Sequence, residues 1–103
     1  MSAEAAVFSA LGDPHRLALV ERLSSEGPIS IAALTVGTGL TRQAVTKHLK
    51  VLEKSGLLRC RRIGRVTAWQ IDRRTLAGAR INLAKIAEQW IARLDRLKTQ
   101  VET

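Results

Sequence analysis

The sequence has a single cysteine, only two prolines and no tyrosine. With Cys60 alone, an intramolecular disulfide is excluded, as is any zinc site built on two or more thiolates. No apolar run approaches the roughly 18 residues that a membrane span needs. Met1-Ser2-Ala3-Glu4 lacks the basic-then-apolar opening of a signal peptide. The expectation is a cytoplasmic protein with no membrane partner. No Gly-rich loop follows a strand-like run, no carboxylate pair sits in a pocket motif, and no nucleophile stands beside a base. Enzymatic activity is therefore not expected. Internal repeats, low-complexity tracts and linkers are also missing. A chain of 103 residues suits one compact domain over 1–103, because it is too short for two independent cores.

Acidic residues are scarce as well, 9 against 17 lysines and arginines, for a formal charge of +8. From Arg42 to Arg74 there are ten basic residues and two acids, Glu53 and Asp72. The remainder of the chain is balanced, seven against seven. One third of the sequence thus carries the whole excess. Charge gathered in this way implies a polyanionic partner, nucleic acid before an anionic membrane. A membrane surface lacks support, because no stretch pairs a basic face with large exposed aromatics.

The punctuation is helical for most of the length. Ala3 to Leu11 reads as a short helix ended by Gly12. Asp13-Pro14 supplies an N-cap and a first-turn proline for a second helix, with Leu17, Val20 and Leu23 as its apolar stripe and Leu19 beside them. Gly27-Pro28 stops it. Ser30 caps a short third helix through Ile31, Leu34 and Val36, closed by Gly37 and Gly39. Thr41 caps a fourth from Arg42 to about Lys54, and Gly56 follows where a left-handed cap belongs. Leu57–Arg62 and Val66–Ile71 read as two strands joined by a turn over Ile63-Gly64-Arg65. Asp72 caps a last helix from about 73 to 101. The expected fold is mainly α with a small β-hairpin wing: a winged helix-turn-helix of about five helices and two strands.

On a wheel of 100° per residue with Val45 at zero, Leu49 and Leu52 fall within about 40° and define a buried stripe. Gln43, Thr46, Lys47, Lys50 and Lys54 fall between about 100° and 200°, with Glu53 on the flank near 80°. One amide, one hydroxyl and three ammonium groups on an outward face are what a major-groove reader needs. Gln43 suits bidentate bonds to adenine, and Thr46 suits a base edge or a thymine methyl. Lys47 reaches guanine or phosphate, Lys50 the backbone, and Arg42 either. On the wing, Arg61, Arg62 and Arg65 surround Gly64, and their planar guanidinium groups match phosphate or a narrow minor groove. His48 lies at the edge of the apolar stripe and reads as a packed, hydrogen-bonded histidine. His15 has no second histidine or thiolate at useful spacing, and Cys60 reads as a plain strand residue.

In the last helix Leu83, Ala87, Trp90, Leu94, Leu97 and Val101 follow alternating steps of four and three, a heptad seam. A small winged core cannot bury so long a helix, so part of this surface is expected to meet another subunit. Trp90 would anchor it, and Val7, Phe8 and Leu11 of the first helix would accompany it. Two alternatives stand beside a sequence-specific dimer: a basic architectural protein coating DNA without preference, and a winged-helix module binding an acidic protein partner.

Ala10-Leu11-Gly12-Asp13-Pro14-His15-Arg16-Leu17, then Leu40-Thr41-Arg42-Gln43-Ala44-Val45-Thr46-Lys47-His48-Leu49-Lys50-Val51-Leu52, Gly56-Leu57-Leu58 and the Arg-Gly-Arg wing resemble the ArsR (arsenic repressor) family over nearly the whole chain. The resemblance implies a homodimeric winged helix-turn-helix repressor, paired through its first and last helices on double-stranded DNA with an inverted-repeat operator. The family's DNA-reading positions correspond to Thr41, Arg42, Gln43, Thr46 and Lys47, with Arg65 at the wing tip. Metal-sensing members carry a C-x-C-type motif before the recognition helix, where this chain has Ile31-Ala32-Ala33-Leu34-Thr35-Val36. Other members ligate metal with histidines and acids on the last helix, and this one has no histidine there. Trp90 to Leu97 resembles the metal-independent branch. No metal or other cofactor is expected, and no effector is indicated.

Overall fold

The computed structural model describes residues 2–102. In chain order it contains α1 (Ala3–Leu11), α2 (Pro14–Glu26), β1 (Ile29–Ser30), α3 (Ile31–Thr35), α4 (Arg42–Lys54), β2 (Leu58–Ile63), β3 (Val66–Ile71) and α5 (Arg73–Glu102). The helix starts follow from side-chain caps. The oxygens of Ser2, Asp13, Ser30 and Thr41 each accept from backbone N–H groups of the first turn, satisfying donors that a helix start otherwise orphans. Pro14 stands in the first turn of α2, where its missing N–H costs nothing.

The sheet has three strands, ordered β1-β3-β2 and antiparallel throughout, one more than the expected hairpin. β1 is only two residues long and pairs Ile29 with Trp69 and Ser30 with Ala68. No period-2 alternation can develop over two residues, and Ser30 carries a second signal as the N-cap of α3. The wing turn is also tighter than expected. Ile63 pairs with Val66, leaving Gly64-Arg65 as a two-residue loop. Gly64 has φ 63° while no residue other than glycine has positive φ, the φ pattern of a type II′ turn.

The core gathers Leu34, Val45, Leu49, Leu52, Leu57 and Leu58, all essentially inaccessible. Val7, Ala10, Leu19, Val20, Leu23, Ile29 and Trp69 close it. Leu17 does not belong to it: it is exposed. The buried arc of α2 runs from Val20 through Leu23 to Leu19, which turns Leu17 about 60° outward from Val20 on the opposite side. Val36 is exposed too, at 73%. Helical φ/ψ ends at Thr35, and Val36 is an extended cap residue that no longer shares the face of Ile31 and Leu34. The α3 carbonyls find a partner in α2 instead. Arg22 Nη1 donates to the carbonyls of Ala33, Leu34 and Val36 at 3.3, 3.1 and 3.2 Å, tying α3 to α2.

α5 begins in the core and leaves it. The Asp72 N–H donates to the Leu57 carbonyl at 2.8 Å and its Oδ1 accepts from Thr75 N–H at 3.0 Å. Ala79 is buried, but every described side chain from Leu83 to Val101 is exposed. The chain measures 66 × 27 × 26 Å with a radius of gyration of 17.8 Å, against about 13 Å for a compact chain of this length. The projecting helix accounts for the difference.

Candidate nucleic-acid interface

α4 turns its two faces to different surroundings. Val45, Leu49 and Leu52 are fully buried and hold the helix on the core. Opposite them Arg42, Gln43, Thr46 and Lys47 border one shallow depression. Arg42, Gln43 and Lys47 are exposed, and no hydrogen bond or ion pair among the described residues engages their side chains. Thr41 and Thr46 are already employed. Thr41 Oγ1 accepts from Ala44 N–H at 3.1 Å, and Thr46 Oγ1 donates to the Arg42 carbonyl at 2.8 Å.

Lys50 differs from its neighbours. Its ammonium lies 3.4 Å from Glu53 Oε1 and 5.7 Å from the centroid of the Trp69 ring, so one face is taken by a carboxylate and an indole. Nothing local in the sequence announces this contact, because Trp69 arrives from β3. Lys54 stays exposed at the end of the helix.

On the wing the three arginines do not act as one group. Arg61 and Arg62 are adjacent on β2 and so point to opposite faces. Arg62 shares the face of Leu58 and Cys60, whose partners on β3 are Ile71 and Trp69. Its Nε donates to the Gly64 carbonyl at 3.3 Å, bracing the turn. Arg61 lies on the other face, opposite Ala68. Arg65 stands exposed at the tip.

Where α2 begins, three side chains from two helices meet. His15 and His48 have ring centroids 5.5 Å apart, tilted by 35°. His15 thus gains in space the second histidine that its spacing along the chain did not offer. His48 Nδ1 lies 4.0 Å from Asp13 Oδ1, beyond hydrogen-bond reach; the expected hydrogen-bonded histidine is instead a half-buried ring at Coulombic distance from a carboxylate. The backbone N–H of Arg16 above all holds the Asp13 carboxyl below its usual range. Desolvation opposes this in part, while the His15 N–H and the charges of Arg16 and His48 reinforce it. No group of three or more His, Cys, Asp or Glu among the described residues is arranged to hold a metal. Cys60 is exposed on β2.

Phe8, Leu11, Leu76, Ala79, Leu83 and Ala87 border an apolar groove between α1 and α5. Trp90, Leu94 and Leu97 continue it outward at 62%, 46% and 56% exposure. Val7 is not on this surface. At 2% exposure it is covered by its own protomer, because it lies on the side of α1 that turns into the core with Ala10. Among the described residues no helix is long and apolar enough to cross a membrane.

A helix-turn-helix domain family matches residues 11–61, the span from the end of α1 into β2. An HTH-type transcriptional regulator of Mycobacterium tuberculosis is 38% identical over 76 residues, covering 74% of this chain and 70% of that protein. Among solved structures, an ArsR-like transcriptional regulator from Rhodococcus sp. RHA1 superposes with a TM-score of 0.78 at 29% identity, over 94% of this chain and 91% of that one. A further ArsR family transcriptional regulator gives a TM-score of 0.75 at 31% identity, over 86% of this chain and 97% of that one.

Proposed function

Because the chain belongs to the ArsR family of helix-turn-helix transcriptional regulators, we propose that it works as a two-fold dimer whose paired α4 helices enter successive major grooves of an inverted-repeat operator and repress transcription there. The observation that carries this reading is the outward face of α4. Arg42, Gln43 and Lys47 are exposed and uncommitted, with no acid among them, on a helix whose other face is fully buried. A side chain that reads a base edge must be free to exchange water for the base, and its helix must be rigidly seated.

In this reading 1–103 acts as one unit. Gln43 and Arg42 read bases, Lys47 bonds guanine or phosphate, and Thr41 and Thr46 flank them. Arg62 and Arg65 clamp phosphates from the wing, with Arg61 contributing from its outer face. Lys50, held by Glu53 and Trp69, supplies charge near the backbone rather than a freely moving contact. Subunits pair through Phe8 and Leu11 with Leu83, Ala87, Trp90, Leu94 and Leu97, Val7 supporting them from beneath. The place of action is the cytoplasm, and the switch uses no metal on these residues.

Two other uses of a basic winged helix make different demands. A coating protein or a binder of an acidic partner needs charge alone, and gains nothing from Gln43 set among lysines. Selection of bound fragments from random duplexes separates the three. The expected result is one preferred motif, repeated with two-fold symmetry at about 10–10.5 base pairs between half-site centres, or a multiple of that. Uniform retention of all duplexes would leave an architectural protein, and failure to retain any at low salt would leave the protein-binding module.

A further inference from the structure

Thr46 offers a base pair less than its formula suggests. Its hydroxyl proton points back along the helix to the Arg42 carbonyl, with Oγ1 at 2.8 Å from that oxygen. A threonine hydroxyl has one proton to give. With that proton spent on the backbone, the side chain has left for a partner a methyl group and an oxygen that can only accept. The surrounding polar groups differ: Gln43, Arg42 and Lys47, which border the same depression, all carry free donors.

The major groove shows acceptors at thymine O4, guanine O6 and N7, and adenine N7. An acceptor-only oxygen can bond none of them. It can accept from the amino group of adenine or cytosine, but the Gln43 amide, about 60° away on the helix surface, is suited to satisfy both N6 and N7 on the groove edge of adenine, and a single bond from the cytosine amino group only replaces one that water supplies. Freeing the hydroxyl to donate would exchange one hydrogen bond for another with little net gain. The thymine 5-methyl group is the remaining feature, and it is complementary to the threonine methyl, whose burial against it removes apolar surface from water.

We infer that Thr46 is a specificity-determining residue that recognises the 5-methyl group of one thymine per half-site through its own methyl, and not through its hydroxyl. The inference rests on α4 being the groove-reading helix and adds which chemical group this position detects.

The test uses the full chain and the duplex selected from the random pool, with each thymine replaced in turn by deoxyuridine, which removes only the methyl. One position per half-site is expected to weaken binding about fourfold, the worth of roughly one buried carbon. Thr46→Val keeps the methyl and lacks the hydroxyl, so its affinity and its sensitivity to that uracil should match the native protein. Thr46→Ser keeps the hydroxyl and lacks the methyl, so it should bind thymine and uracil duplexes alike. The inference is overturned if Thr46→Val loses the discrimination, if Thr46→Ser keeps it, or if no uracil matters to a protein that still prefers its motif. Absence of any preferred motif would instead remove the groove-reading assignment itself. Circular dichroism of both variants confirms the helix, and position 46, half-buried on α4, is not part of the core.

Discussion

Arg59 Nε lies 2.6 Å from Asp72 Oδ2, so the first wing strand is tied to the residue that starts the last helix. The other carboxylate oxygen of Asp72 caps α5 through Thr75 N–H. One side chain therefore joins the wing to the helix proposed to pair the subunits. The Thr75 backbone N–H chiefly lowers the Asp72 carboxyl below its usual range. Desolvation works against it, and the Arg59 charge adds to it.

A pH dependence with a definite sign follows. A carboxyl whose folded pKa is depressed stabilises the fold fully above its unfolded value, about 3.9, and this is lost as pH falls through the folded value. Asp13 and Asp72 both have this sign. Thermal denaturation should therefore show Tm falling below about pH 4. Asp72→Asn should lower Tm at neutral pH and flatten that acid decline. Native and variant curves running parallel through the acid range would exclude the linkage.

The opposite facing of Arg61 and Arg62 separates their effects on duplex binding. Arg62 lies on the strand face that pairs through Cys60 with Trp69, and Trp69 lies under Lys50 of the recognition helix. Replacing Arg62 or Arg65 with alanine should make the dependence of log affinity on log salt shallower by about 0.9 for each phosphate no longer neutralised, with the preferred motif unchanged. Arg61→Ala should change the slope less. Slopes unchanged from the native protein in all three variants would mean that the wing does not touch the DNA backbone.

Gln43 is exposed and unengaged, so its removal leaves the protein's own hydrogen bonding intact. Gln43→Ala should relax base preference at one position per half-site, at a cost of about 1–3 kcal/mol against the preferred duplex. Repeating the random-duplex selection with the variant measures this directly. An unaltered preference profile would assign base reading to other side chains.

What could be read from residue order divides along a physical line. The caps Asp13, Ser30, Thr41 and Asp72 and the glycine after α4 act within a few residues, so the starts of α2, α3, α4 and α5 and the end of α4 follow from local chemistry. The face of α4 was legible for the same reason: Val45, Leu49 and Leu52 fix the wheel. Contacts between distant segments were not. β1 exists because β3 lies beside it, the His15–His48 pair because α2 crosses α4, and the Lys50–Trp69 contact because a strand passes beneath the helix. Leu17 illustrates the ambiguity of a short apolar run. Leu17, Leu19, Val20 and Leu23 allow two overlapping stripes, and only the packing partner selects one.

Gly56 tests the local chemistry that ends α4. Its φ is 89°, and an added Cβ would sit 3.6 Å from Thr75 Oγ1, an ordinary contact. The cost of Gly56→Ala is therefore backbone strain alone, about 1–2 kcal/mol. Chemical denaturation should report that decrease with an unchanged slope against denaturant. A much larger decrease would point to displacement of α5, whose Thr75 stands beside this turn.

Trp90 tests the assembly. It is 62% exposed on a helix that no other part of the protomer covers, and Leu83, Ala87, Leu94 and Leu97 lie on the same side of α5, within about 40° of Leu83 on the wheel. So many large apolar groups in one exposed stripe suit the proposed subunit contact. Trp90→Asp places a charge in that stripe without touching the protomer core, so the helical dichroism should persist while light scattering reports half the native mass. Loss of the dimer should also weaken operator binding far more than binding to an isolated half-site, because the second recognition helix is no longer held at fixed distance from the first. A variant that stays dimeric at micromolar concentration would place the subunit contact away from α5, and with it the spacing of the two reading helices.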